Sequence, residues 1–216
     1  LDDAFQHRRA ARVADVVLVS VDRWHDDVRL LPAGPFREPL ASLARASLVV
    51  LTEKAPAPGR RDRARAAVAR ATRAEVATVS LAAGALRPLG GTGEDRPLAT
   101  LAGQRVVAVS AIGDPAAFHR QLVAAGLDVA PLVFPDHHAY GDADVARIVR
   151  AAGGSPVVCT LKDAVKLAPR WPAGGAPPAW YLWQHVVPVD GAEALSAAVR
   201  ALLAARGPSG GVTPSP

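Results

Sequence analysis

Apolar residues come in short blocks set apart by polar or glycine-rich joints, and the blocks alternate between two periods. Val16 to Val21 (VVLVSV) and Leu48 to Leu51 (LVVL) are continuous, β-branched runs, as expected of strands buried on both faces of a parallel sheet. Asp62 to Arg73 places Ala and Val at helical spacing with arginine elsewhere, which predicts a surface helix, and Val76 to Leu81 returns to strand character. From Ala82 to Gly103 both periods fail, because Gly84, Pro88, Gly90, Gly91, Gly93 and Pro97 interrupt the run, and a domain boundary is expected there.

The second half restarts the pattern. Arg105 to Ser110 reads as a strand, Pro115 to Ala125 as a helix closed by Gly126, and Val129 to Phe134 as a strand. Asp142 to Ala152 reads as a helix closed by Gly153, and Pro156 to Thr160 and Trp180 to Val189 as strands. Ala192 to Ala205 is an Ala/Leu helix, and the Pro/Gly/Ser-rich tail reads as disordered. Alternation of this kind gives an α/β chain with parallel pairing. The expected division is a first domain over 1–84, a linker over 85–103, a smaller α/β domain over 104–206, and a tail over 207–216.

Composition narrows this little. The net charge of +5 comes from arginines scattered among alanines, and the densest run, Arg60 to Arg73, reads at helical spacing as a solvated face rather than a nucleic-acid contact. Such a balance suits an anionic substrate or membrane surface. A single cysteine, Cys159, excludes an internal disulfide framework and points to a reducing compartment. No apolar run of about 18 residues exists to span a bilayer. The opening Leu1-Asp2-Asp3 carries neither an initiator Met nor a signal segment, as expected of a chain cut from something longer.

Four clusters could carry chemistry. Asp2 and Asp3, with His7 close behind, offer oxygen ligands for magnesium or an ordinary helix cap. Arg29 to Pro39 (RLLPAGPFREP) presents Arg37 from a loop stiffened by proline, which suits an oxyanion or is a plain turn. Asp136, His137 and His138 follow a strand, at the edge where α/β sheets gather ligands; a histidine there can act as a base or polarise a carboxylate, or be incidental beside an Asp136 helix cap. Lys162 and Asp163 follow the next strand, where Lys162 could meet a phosphate or the two form a surface pair. Cys159 reads as a core residue.

The order of the blocks is more telling than any one of them. DDAFQH, LLPAGPFREPL, VVLTEK, VVAVSAIGDPAAF, FPDHHAY and CTLKDAVKL resemble the successive signature blocks of the tetraacyldisaccharide 4'-kinase family, from residue 1 to about residue 190. The resemblance implies a P-loop-kinase-like parallel sheet, incomplete here, joined by a short β linker to a second α/β domain that closes over the nucleotide. It implies transfer of the ATP γ-phosphoryl to the 4'-hydroxyl of a lipid A disaccharide precursor, with Mg²⁺, at the cytoplasmic face of the inner membrane. Contact with the anionic membrane would be peripheral, and nucleic acid would have no part.

By the same resemblance, Asp2 and Asp3 match the acidic pair at the metal, with His7 a neighbouring polar contact. Arg37 and Glu38 match the loop that meets the sugar-lipid head, and His137 matches the histidine that pairs with a catalytic aspartate, with His138 a possible substitute. The acidic pair and the histidines are expected to converge on one cleft. Two glycines of the family pattern are replaced, by Ala4 and Ala111, where glycine permits backbone angles that alanine tolerates poorly. No G-x-x-x-x-G-K-[ST] occurs in the 216 residues, so the chain by itself is expected to be inactive. Two rival readings remain: an inactive remnant that binds an anionic lipid or a partner, and a DHH-type phosphoesterase with Asp136, His137 and His138 as metal ligands.

Overall fold

The computed structural model describes residues 4–7, 9, 12–34, 36–91 and 93–205. Its strands are β1 (Val16–Ser20), β2 (Leu48–Glu53), β3 (Glu75–Pro88), β4 (Arg96–Pro97), β5 (Arg105–Ser110), β6 (Asp128–Val133), β7 (Val157–Thr160) and β8 (Ala179–Asp190). Its helices are α1 (Arg60–Ala71), α2 (Pro115–Ala124), α3 (Asp142–Ala152), α4 (Leu161–Leu167) and α5 (Ala192–Ala205). The chain forms two compact units, one of residues 1–80 with 188–216 and one of residues 81–187. The class is α/β with mainly parallel pairing, as the alternating blocks predict.

In the first unit β1, β2 and β3 are parallel neighbours, with Val16 opposite Leu48 and Leu48 opposite Glu75. Parallel strands need a crossover, and α1 supplies the one between β2 and β3. Side chains alternate across β2. Val49 and Leu51 pack with Val21, Trp24, Leu43, Ala64 and Val68, whereas Leu48 and Val50 pack with Ala77 and Val79 on the other face. None of the four β2 residues is more than 3% exposed, and burying each stabilises the fold by roughly 1.5–3 kcal/mol. This is why LVVL carries no polar alternation.

The face of Leu48 and Val50 needs a cover, and Ala194, Leu195 and Ala198 of α5 provide it. The final helix was expected to belong to the domain over 104–206; it packs instead on β2 and β3 of the first unit. The turn into α5 demands a glycine, because Gly191 has φ +70 and a Cβ there would lie 2.8 Å from Ala77 Cα.

The second unit orders its strands as β6, β5, β7, β8 and the Leu81–Pro88 part of β3, with parallel pairing of β5 to β6 and β7 and of β7 to β8. Val107 and Val109 of β5 point into one core with Phe134, Ile148 and Leu167. Val106 and Ala108 point into the other with Leu122, Leu127 and Trp180. Asp114 caps α2 by accepting from the Ala117 N–H (3.1 Å), and Pro115 occupies the first turn, where its missing N–H costs nothing.

The stretch read as a loop over 82–103 is partly strand. β3 runs on to Pro88, and β4 pairs antiparallel with it at Ala85 and Pro97, forming the short β segment that the resemblance implies. Gly84 sits mid-strand because a Cβ there would run into the His185 ring and the Trp183 carbonyl. The tail over 207–216 lies outside the described residues.

Candidate functional site

Parallel pairing puts the carboxyl ends of β5, β6 and β7 side by side, so the segments leaving them meet. Ala111 follows β5, Phe134 to Tyr140 follow β6, and Thr160 leads from β7 into α4. At their junction sits Asp163, 0% exposed. Its Oδ2 accepts from the Ala111 N–H (3.2 Å) and the Thr160 hydroxyl (2.6 Å), and its Oδ1 accepts from the Tyr140 hydroxyl (3.1 Å). A buried acceptor-only group is tolerated when donors surround it in this way. Burial and the Asp163 carboxylate push the Tyr140 phenol far above its ordinary range, so Tyr140 stays a neutral donor. Burial likewise pushes up the Cys159 thiol, which is a core group as expected.

The two histidines differ sharply. The His138 ring stacks on Phe134 (5.0 Å between centroids), meets Tyr140 edge-on (5.2 Å), and places Nε2 3.0 Å from Asp144 Oδ2. Its carbonyl accepts from Lys166 Nζ at 3.0 Å. Asp144 also accepts from the Gly141 N–H (2.9 Å), and this bond, followed by the one to His138, holds its carboxyl below the usual range. Asp144, not Asp136, serves the start of α3. His137 by contrast has its side chain 83% exposed and a backbone φ of +59. Left-handed backbone in a non-glycine residue is uncommon and is held in place by its surroundings. Here the His137 N–H is shared between the Ala111 carbonyl (3.3 Å) and Asp136 Oδ1 (3.0 Å). One histidine is committed to structure; the other is presented to solvent.

Lys162 is exposed on the first turn of α4, and it is Lys166, one turn on, that reaches the histidine segment. The expected Lys162 and Asp163 surface pair does not form, since Asp163 is turned fully inward. Ala111, where the family pattern has glycine, carries no positive φ; among the described residues His137 is the non-glycine that does. That replacement therefore brings no backbone strain.

In the first unit the Arg29–Pro39 loop closes on itself through Leu31 N–H to Phe36 O (2.8 Å) and Gly34 N–H to Leu30 O (2.9 Å). It borders an open cavity of about 290 Å³ lined by Phe5, Leu18, Phe36, Arg37, Glu38 and Leu40 among others. Apolar walls with a guanidinium at the rim suit an amphiphile with an anionic head. Arg37 is exposed; Glu38 is paired with Arg45 at 2.7 Å, and the Arg45 guanidinium lies over the Phe5 ring at 4.4 Å. His7 is exposed, and its N–H donates to the Ala4 carbonyl (2.9 Å).

Arg61, Arg63 and Arg70 of α1 are exposed, as the solvated-face reading expects, and several arginines of the helix also find partners. Arg61 pairs with buried Glu53, Arg63 with Asp26 (3.0 Å) and Arg65 with Asp190 (2.7 Å), while Arg60 donates to the Asp22 carbonyl (2.6 Å).

Asp2 and Asp3, the pair expected to hold magnesium, lie outside the described residues. Among the described residues no three His, Cys, Asp or Glu side chains gather to hold a cation, and Asp136, His137 and His138 are no exception.

Comparison with known proteins agrees with the order of the blocks. The model of the family described as "Tetraacyldisaccharide-1-P 4'-kinase" matches residues 1–204. The chain belongs to the tetraacyldisaccharide 4'-kinase family. The tetraacyldisaccharide 4'-kinase of Anaeromyxobacter dehalogenans is 41% identical over 214 residues, covering 94% of this chain and 55% of that protein. That of Geobacter metallireducens is 39% identical over 181 residues, covering 78% and 48%. Among solved structures, the "apo" form of LpxK from Aquifex aeolicus in complex with ATP superposes with a TM-score of 0.60 at 26% identity, covering 94% of this chain and 56% of that one. The chain spans about half the length of the family members it matches.

Sequence reasoning named Asp163 only as a companion of Lys162 and did not foresee its burial or its bond to Tyr140. The signal available was Thr160 three residues before Asp163, a capping pattern that ties a carboxyl to a strand end.

Proposed function

We propose that the protein to which these residues belong transfers the γ-phosphoryl of ATP to the 4'-hydroxyl of a tetraacyldisaccharide 1-phosphate, a lipid A precursor. Family membership over residues 1–204 carries this reading. In it, residues 1–84 complete a nucleotide- and lipid-binding domain and residues 104–206 are the core of a smaller domain, with α5 reaching back as described. ATP supplies the phosphoryl group when bound. Arg37, at the rim of the cavity, holds the anionic sugar-lipid head, assisted by Glu38 and His7, and Lys162 meets a phosphate. His137, exposed on a strained backbone, holds or polarises the group that takes the hydroxyl proton; His138, tied to Asp144, supports it.

Magnesium bound by Asp2 and Asp3, and peripheral contact with an anionic membrane at the cytoplasmic face of the inner membrane, belong to the same proposal. Among the described residues no helix is long and apolar enough to cross a membrane.

The test is ATP-dependent formation of the 4'-phosphorylated lipid by the full-length protein, followed by mass spectrometry. His137→Ala is expected to lower kcat about a hundredfold or more, and the 216 residues alone are expected to give no product. Vesicle binding by a folded full-length protein that makes no product would replace this reading with that of an inactive binding module.

A further inference from the structure

Asp163 is fully buried, yet two of the three donors it receives come from residues that also touch the histidine pair. Its Oδ2 takes the Ala111 N–H, and the carbonyl of that same residue accepts from the His137 N–H at 3.3 Å. Its Oδ1 takes the Tyr140 hydroxyl, and the Tyr140 ring stands edge-on to the His138 ring at 5.2 Å. The Thr160 hydroxyl fixes the carboxyl itself, at 2.6 Å. Two independent routes thus run from one carboxyl group, one to the backbone of His137 and one to the ring of His138.

The geometry points to Asp163 as a positioning residue, acting through Ala111 and Tyr140 to hold His137 in its left-handed conformation with its ring presented to solvent. Three observations converge on it. A φ of +59 in a histidine relaxes unless its neighbours prevent it. The next ring is locked between Phe134, Tyr140 and Asp144, so the segment cannot shift without breaking those contacts. And a core carboxyl is retained where an apolar residue would fill the space, which is costly unless its acceptors are used. Asp163 touches no reacting atom; its effect on turnover passes through the placement of His137, where a displacement of about 1 Å can cost two orders of magnitude.

This inference rests on the kinase reading for its consequence in turnover but not for its structural content, and the experiment separates the two. In the full-length protein, Tyr140→Phe removes one donor while keeping the ring, Asp163→Asn turns an acceptor into a donor, and His137→Ala serves as reference. The readouts are histidine ring signals in carbon-13 NMR at one fixed pH, and kcat and KM for ATP-dependent phosphorylation.

Tyr140→Phe is expected to move the His137 and His138 signals and to lower kcat about tenfold with KM for the disaccharide unchanged; Asp163→Asn, where it folds, is expected to do more. Unmoved histidine signals in folded Tyr140→Phe overturn the positioning role. So does an unchanged kcat in Tyr140→Phe when His137→Ala lowers it. A His137→Ala protein with full kcat overturns the kinase role of that histidine instead, and the NMR shifts then decide on Asp163 alone.

Discussion

Asp163 in the second unit and Glu53 in the first are both buried carboxyl groups near a strand end, 0% and 4% exposed, but their partners are of opposite kinds. Asp163 is surrounded by neutral donors, a backbone N–H and two hydroxyls, all within the fold. Glu53 is gripped by the fork of a single guanidinium, Arg61, whose side chain is 44% exposed. In the first unit, then, a buried charge is neutralised from the surface inwards, and the pairing ends in solvent. In the second the carboxyl is a hub that ties three strand ends together, and its benefit appears one residue further on, in an exposed and strained His137. The polar groups at the first unit's strand ends are spent on structure, as Asp22 also shows by accepting from the Lys54 and Ala55 N–H groups (2.6 and 2.9 Å). Those of the second unit hold something out.

The contrast predicts unequal costs. Asp163→Ala leaves three donors unpaired in the core and is expected to lower unfolding free energy in urea by about 3–5 kcal/mol. Glu53→Ala frees a guanidinium that can rehydrate, so about 1 kcal/mol is expected; equal losses would erase the distinction. A smaller effect comes from His119 on α2, whose pKa burial lowers, with Ser110 Oγ 3.4 Å from its Nε2. The unfolded chain then binds a proton that the folded one refuses, so Tm should fall as pH drops below about 6.5 and level off below the folded value, a slope absent in His119→Gln. Smallest is Asp144. With its carboxyl lowered in the fold, its contribution is complete at neutral pH and is lost only as acid takes the pH below about 3.9 and through the folded value. Asp144→Asn should flatten that acid limb in a fluorescence titration.

The parts of this fold legible in the sequence were those set by local pattern. LVVL reads as a doubly buried strand because both its faces are covered, and a helix from Pro115 is legible because the proline that opens it and the glycine that follows it act locally. Gly84 misled for the opposite reason: it looks like a breaker, but the residue that needs the space is His185, a hundred positions away. The partners of Arg63 and Arg65 on α1 were hidden for the same reason, since Asp26 and Asp190 are distant along the chain. In the site, the position of the histidines after a strand was legible, and so was the candidate pair itself. Which histidine is exposed was not, since the difference rests on Phe134, Tyr140 and Asp144 closing around His138. Asp163 beside Lys162 looks the same in sequence whether it faces water or the core.

The covering of β2 and β3 by α5 also has a bearing on how the molecule is made. Residues 81–187 form one uninterrupted compact unit, whereas the first unit needs 188–205 to cover Leu48, Val50, Ala77 and Val79. A ribosome releases the middle before the end, so the later unit can assemble while the earlier one still exposes an apolar face. Closing that gap spans more than a hundred residues, an entropic cost that grows only slowly with length but delays the event. During synthesis, the half that starts first is the half that finishes last, and until then it is the half a chaperone would have reason to hold.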